Sequence, residues 1–198
     1  MMTGFGYKTA WLAFRGHTEQ RVAADLGIAN AGLCDWATAI EASYDLSQPT
    51  VAITPALPGQ GGLWVLATGF ALAVNTPDIA SLSQTTGADV QYFASHRVIE
   101  THIWAKASGG RIERWFGWSG ESGEILRWVG RPDSVERDLG LPEVDRATEA
   151  TVDAVAEAGI NEDSVMIIAG HWSVNPQTLE GVPAPGDPLV GTLPAPIS

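Results

Sequence analysis

Cysteine is nearly missing from this chain: Cys34 stands alone among 198 residues. No intramolecular disulfide can form, which excludes the stapled secreted scaffolds and fits a reducing compartment. Long apolar runs are missing too. The longest, residues 63–74, is broken by Thr68 and Gly69 and falls far short of the ~20 residues that span a bilayer. Residues 1–8 contain no basic stretch followed by an apolar one, so no secretory signal is expected. A cytoplasmic protein with no membrane partner is the expectation. Basic side chains are scarce and uneven: none lies between Val22 and His96, and none follows Arg146, against seven acids in that last stretch. With a formal net charge of −12, the chain lacks the basic footprint that nucleic acid requires. A basic protein or a cationic small molecule is the matching partner, although acidity of this size also serves solubility. Signatures of chemistry are missing as well. No nucleophile elbow, zinc pair or nucleotide fingerprint occurs, and the glycines at 59, 61 and 62 lead into a strand without the Lys-Ser/Thr of a phosphate loop. No cofactor is expected.

What is present reads as mixed strands and helices. Strands are expected at 7–14, 51–53, 63–67, 90–93 and 125–129, each a short run rich in apolar residues. Helices are expected at 19–26, with Thr18 as N-cap and Gly27 as stop; at 36–44, capped by Asp35; from Pro77 to Gly87; and from Pro132 to Gly140. Asn161 can cap the last helix, with Glu162 and Asp163 set against its dipole and Val165, Ile168, Ala169 and Trp172 as its core face. His17 and His171 read as surface or helix-end residues. The order predicts an α+β fold: a largely antiparallel sheet, with room for a mixed one, and helices packed on one face. One domain over 1–173 is expected. Residues 174–198, rich in proline and glycine, read as an extended tail.

The sharpest local signal is the hairpin around Gly109 and Gly110, since glycine reaches positive φ at no steric cost. Taking these two as the turn sets Ser108 opposite Arg111, Lys106 opposite Glu113, Trp104 opposite Trp115, Ile103 opposite Phe116 and His102 opposite Gly117. Opposite charges and paired aromatics across a sheet support that register. It puts Ile99, Ile103, Ile112 and Phe116 on a core face, and gathers Val98, Glu100, His102, Trp104, Trp115 and Gly117 on the other, with His96 if the strand continues. Glu100 can then serve as general base or acceptor and His96 or His102 as its acid–base partner. Trp104 and Trp115 would be stacking walls, with Gly117 leaving a gap. A metal does not fit: His96 and Glu100 are roughly 13 Å apart on a regular strand, and Glu100 with His102 is too few ligands.

A second candidate surface lies in residues 145–158, an alanine-rich helical pattern. Asp145, Glu149, Asp153 and Glu157 recur every four residues with no basic residue four positions further on, so their repulsion goes unrelieved. Such a ridge is a solvated face or a docking surface.

The run Tyr92-Phe93-Ala94-Ser95-His96-Arg97-Val98-Ile99-Glu100, with His102 and Trp104, resembles a bacterial protein family that carries no established activity. So do Lys8-Thr9-Ala10-Trp11-Leu12-Ala13, Asp163-Ser164-Val165-Met166 and Trp172-Ser173-Val174-Asn175-Pro176. The resemblance covers roughly 7–180; it implies bacterial origin and adds nothing on mechanism. Two functions follow from the residues. One is a non-catalytic binding or inhibitor module, of which a toxin-immunity protein is one instance, engaging a basic partner through the acidic ridge. The other is an enzyme or small-ligand binder that uses the hairpin face.

Overall fold

The computed structural model describes residues 1–96 and 100–194. Arg97, Val98 and Ile99, two of which the hairpin register assigned to faces, lie outside the described residues, as do 195–198. At the centre lie β1 (Thr9–Arg15) and β6 (Val90–His96), paired antiparallel with Trp11 opposite Phe93 and Leu12 opposite Tyr92. Both strands are buried along nearly their whole length. Their apolar runs do not alternate with polar residues, which is the pattern of a strand covered on both faces.

Around this pair the chain lays down β2 (Ala29–Leu33), β3 (Thr50–Ile53), β4 (Leu57–Gly59), β5 (Gly62–Thr68), β7 (Thr101–Ser108), β8 (Arg111–Ser119), β9 (Glu124–Val129) and β10 (Leu189–Thr192). The order across the sheet is β2-β10-β3-β5-β1-β6-β7-β8-β9, with β4 a short extra partner of β5. Every pairing among the described residues is antiparallel. This is the α+β fold expected, without the parallel pair the sequence left room for. The stretch after Val174, which composition marks as an extended tail, contributes a 3-10 turn at Pro176–Leu179 and then β10, seated between β2 and β3.

The helices are α1 (Glu19–Asp25), α2 (Trp36–Ser43), α3 (Phe70–Val74), α4 (Ile79–Thr86), α5 (Ser134–Asp138), α6 (Glu149–Ala158) and α7 (Glu162–Trp172). Their caps are those the sequence marks: Thr18, Asp35 and Asn161 each accept a backbone N–H at the helix start. They do not pack on one face. On one side Val22 and Ala23 of α1, Leu72 of α3 and Ile79 of α4 meet Leu12, Tyr92 and Trp115. On the other side Trp36 of α2, Val135 of α5, Val155 of α6 and Ile168 of α7 meet Trp11, Phe93, Trp104 and Phe116. The one-face expectation is therefore corrected, because central strands that are apolar on both sides must be covered on both.

The hairpin turn sits where expected. Gly109 and Gly110 both have positive φ, at 55° and 81°, and Ser108 pairs with Arg111. The register beyond it is not the expected one. It shifts between Ala107 and Lys106, so that Lys106 pairs with Arg114 and Glu113 is an extra residue on β8. Such a bulge re-aims every side chain after it. Trp104 faces Phe116, stacked at 4.2 Å, while Trp115 turns to the opposite side and stacks on Tyr92 at 6.1 Å. Gly117 lies opposite Ile103, and Trp118 takes the place opposite His102.

Two observations account for the bulge. Gly130, just after β9, has φ +73°, and a Cβ there would lie 2.3 Å from the Glu113 carbonyl oxygen, so the bulged backbone seats against a bare glycine. Inside, the shift sets Arg114 opposite Lys106, and its Nε lies 2.7 Å from Glu136 Oε1 with both side chains buried. Glu136 Oε1 also accepts the Trp104 indole N–H at 2.7 Å, and Glu136 Oε2 accepts the Asp133 backbone N–H at 3.0 Å. The buried pair thereby ties β7 and β8 to the capped start of α5.

Candidate functional site

The expected platform does not exist as one surface. Trp104 and Trp115 lie on opposite faces of the sheet, each inside a different core. His96 lines a small cavity of about 230 Å³ with Phe70, Tyr92 and Ile103. Position alternates along β6 and β7, so His96, paired with Thr101, is on the face away from His102. For Trp115 and Gly117 the physical reason is again the bulge at Glu113, which moves them across the sheet. His96 is displaced because β6 ends there and β7 is a separate antiparallel strand, not its continuation.

Two of the expected residues do meet. Glu100 and His102 share a pocket of about 430 Å³ with Trp118, Gly120, Ile160 and Glu162. One wall comes from the open end of β7 and β8. The other comes from the tight corner where Gly159, at φ +65°, ends α6 and Asn161 starts α7. Glu100 has φ +44°, a conformation unusual for a side chain other than glycine, and its carbonyl accepts the Gly120 N–H at 2.8 Å. A Cβ at Gly120 would lie 2.9 Å from the Glu100 Cβ and 2.6 Å from its carboxylate, so a side chain there would displace the Glu100 side chain.

His102 is 4% exposed, with Nδ1 3.4 Å from Ser95 Oγ. Burial pulls its pKa down to about 4, so at neutral pH it presents an uncharged imidazole. Glu162 stands in the first turn of α7, where the helix dipole favours negative charge. Its Oε2 is buried and, among the described residues, has no hydrogen-bond partner. Two carboxylates, a neutral imidazole and an indole wall make a lining that favours a cation: acceptors and a π face are present and no positive side chain is.

The acidic ridge runs up to this pocket. Glu149, Asp153 and Glu157 are exposed on α6, while Thr151 and Val155 face inward. None of the three acids enters an ion pair among the described residues. Asp145 is different. It precedes α6, which starts only after Thr148, and it holds Arg131 at 2.6 and 3.0 Å. Ala156 and Gly159, at the C-terminal end of the same helix, line the pocket. Sequence reading missed Trp118, Gly120 and Glu162, because only the tertiary packing of the α6–α7 corner on the hairpin end unites them. The one available signal was an acid at Glu162 directly after a capping asparagine, which also reads as ordinary helix chemistry.

Among the described residues no helix is long and apolar enough to cross a membrane, and no three His, Cys, Asp or Glu side chains converge as a metal set. Comparison with protein-family models, with curated protein sequences and with solved structures gave no match.

Proposed function

We propose that this chain is a non-catalytic binding or inhibitor-type module that engages a basic protein partner. In this reading the α6 ridge faces the partner's positive surface, and one lysine or arginine side chain enters the pocket between Glu100 and Glu162. The observation that carries it is the buried Glu162 Oε2, without a partner among the described residues, in the first turn of α7 beside the C-terminal end of the exposed acidic helix α6. A buried acceptor without a donor is costly, and an entering ammonium or guanidinium supplies both the donor and the opposite charge. Trp118 adds a ring face for the same cation. Unneutralised acids on α6 would speed encounter with a basic surface, with strong salt dependence.

Titration calorimetry with a lysine-rich peptide at low and high salt tests this. Binding should weaken steeply with salt, Glu162→Gln should weaken it roughly tenfold, and Asp153→Lys with Glu157→Lys should abolish the salt-dependent part. Binding that is indifferent to all three substitutions sinks the proposal.

A second reading, a small-ligand site or enzyme with Glu100 and His102 as working groups, is favoured by one fact: the two side chains line the same pocket. A neutral His102 can accept or donate one hydrogen bond there. A small amine that binds with unchanged affinity after α6 charge reversal would favour this reading over the first.

A further inference from the structure

Lys106 lies at the other end of β7 from His102, beside the hairpin turn, and on the same face. Next to it is a cavity of about 330 Å³ lined by Arg15, Trp64, Gln91, Lys106, Glu113 and Trp172. Gln91, the cross-strand partner of Lys106, is 6% exposed. Its Nε2 donates to the carbonyl of Trp172, the last residue of α7, at 3.1 Å. That bond fixes the amide: turned the other way, two carbonyl oxygens would face each other. Gln91 Oε1 is then left buried with no partner among the described residues. An unfilled acceptor in a polar cavity calls for an N–H or O–H from outside the chain.

The cations beside it are not saturated. Lys106 Nζ lies 3.4 Å from Asp133 Oδ2 and 4.3 Å from the centre of the Trp172 ring, in a part-exposed pair. Arg15 leans on Asp89 at 3.3 Å and on the Gly61 carbonyl, also part-exposed. An ammonium has three donors, and one ion pair does not use them. Glu113, pushed outward by the bulge, is exposed at the rim.

We propose that this cavity is a second binding site, for a small carboxylate that carries an N–H donor next to it, as a free α-amino acid or the C-terminal residue of a peptide does. The carboxylate pairs with Lys106, with Arg15 in reach of the same cavity, and the N–H donates to Gln91 Oε1. Glu113 faces the ammonium of a free amino acid; a peptide amide does not need it. None of these residues belongs to the α6 ridge or its pocket, so this site stands or falls independently of the proposed function.

The test follows the indole N–H resonances of Trp64 and Trp172 in the ¹⁵N-labelled full chain during titration with glycine, N-acetylglycine and N-acetylsarcosine, which keeps the carboxylate but has no N–H. Saturable shifts are expected from N-acetylglycine, from glycine, or from both. N-acetylsarcosine should bind at least roughly fivefold more weakly, the worth of one hydrogen bond. Lys106→Met should remove the response, and Glu113→Gln should weaken glycine alone. If Gln91→Met folds, it should erase the preference over N-acetylsarcosine; if it does not fold, the ligand comparison in the unaltered protein decides. No saturable shift from either donor-bearing probe, equal binding of N-acetylsarcosine, or a crystal structure with an ordered water on Gln91 Oε1 that the probes leave in place would overturn the proposal.

Discussion

Glu136 and Arg114 are the costliest pair of side chains in the molecule to separate. Both are buried, and the carboxylate also holds the Trp104 indole and the start of α5. Burial pulls the Arg114 pKa below its ordinary value, while Glu136 beside it works the other way. Removing one charge leaves the other uncompensated in the core. Glu136→Ala should therefore cost about 3–5 kcal/mol in urea unfolding, while Arg114→Met combined with Glu136→Leu should cost far less. His102 sets a second residue-scale expectation. Its folded pKa of about 4 lies below the ordinary value near 6.5, so the unfolded chain binds the proton first as pH falls. The stability tied to neutral His102 is whole above about 6.5 and is lost as pH drops towards 4, on the order of 1–3 kcal/mol. His102→Phe should flatten that part of the stability profile, and NMR titration should place the His102 midpoint near the low value. At this scale the sequence was half legible. Glu100 and His102 could be picked as a pair because both flank one end of a clear hairpin strand. Glu162 could not, since nothing local distinguishes a pocket carboxylate from a helix-dipole partner.

At the scale of elements, the bulge on β8 decides which side chains act together. Gly109-Gly110 announced the turn, because two positive φ angles in succession ask for glycine. The extra residue at Glu113 was not announced. Its causes, Gly130 in the next connection and Glu136 on α5, are tertiary, and a glutamate at that position reads as an ordinary outward strand residue. Gly130→Ala tests the account: a methyl against the Glu113 carbonyl at positive φ should cost on the order of 1–3 kcal/mol in thermal or urea unfolding. Unchanged stability would mean that the bulge is held by something else. Helix α6 offers the opposite case, a surface element where stability and binding should separate. Asp153 lies four residues from both Glu149 and Glu157. Asp153→Lys turns two repulsive pairs into attractive ones, worth about 0.2–0.5 kcal/mol each. The variant should melt no lower than the parent while losing affinity for a basic peptide. A loss of both together would assign α6 a structural role only.

For the whole molecule, the sheet is closed late. β10 lies between β2 and β3, so more than a hundred residues separate β10 from its two partners in the chain. Composition hid this, because a strand of four residues flanked by prolines and glycines resembles a linker. A chain ending at Asp187 lacks β10 and should leave β2 without a sheet neighbour. Loss of cooperative thermal unfolding, or a clear fall in midpoint, is the expected result by circular dichroism. The helices on both faces were missed although a signal was there: residues 9–14 form a nearly unbroken apolar run, the pattern of a strand covered on each side, yet cover was expected on one face only. The charge layout is likewise a property of the whole chain, with no Lys or Arg beyond Arg146 and seven acids after it.

The most direct measurement is a ¹H–¹⁵N titration of the full chain with Nα-acetyl-lysine amide, followed at the Trp118 indole and the backbone amides of Asn161 and Glu162. The account predicts a saturable shift confined to these groups and to the α6–α7 corner, strongly reduced in Glu162→Gln and in high salt. Shifts scattered over the acidic surface with Trp118 unmoved, or a response that Glu162→Gln leaves intact, would contradict it.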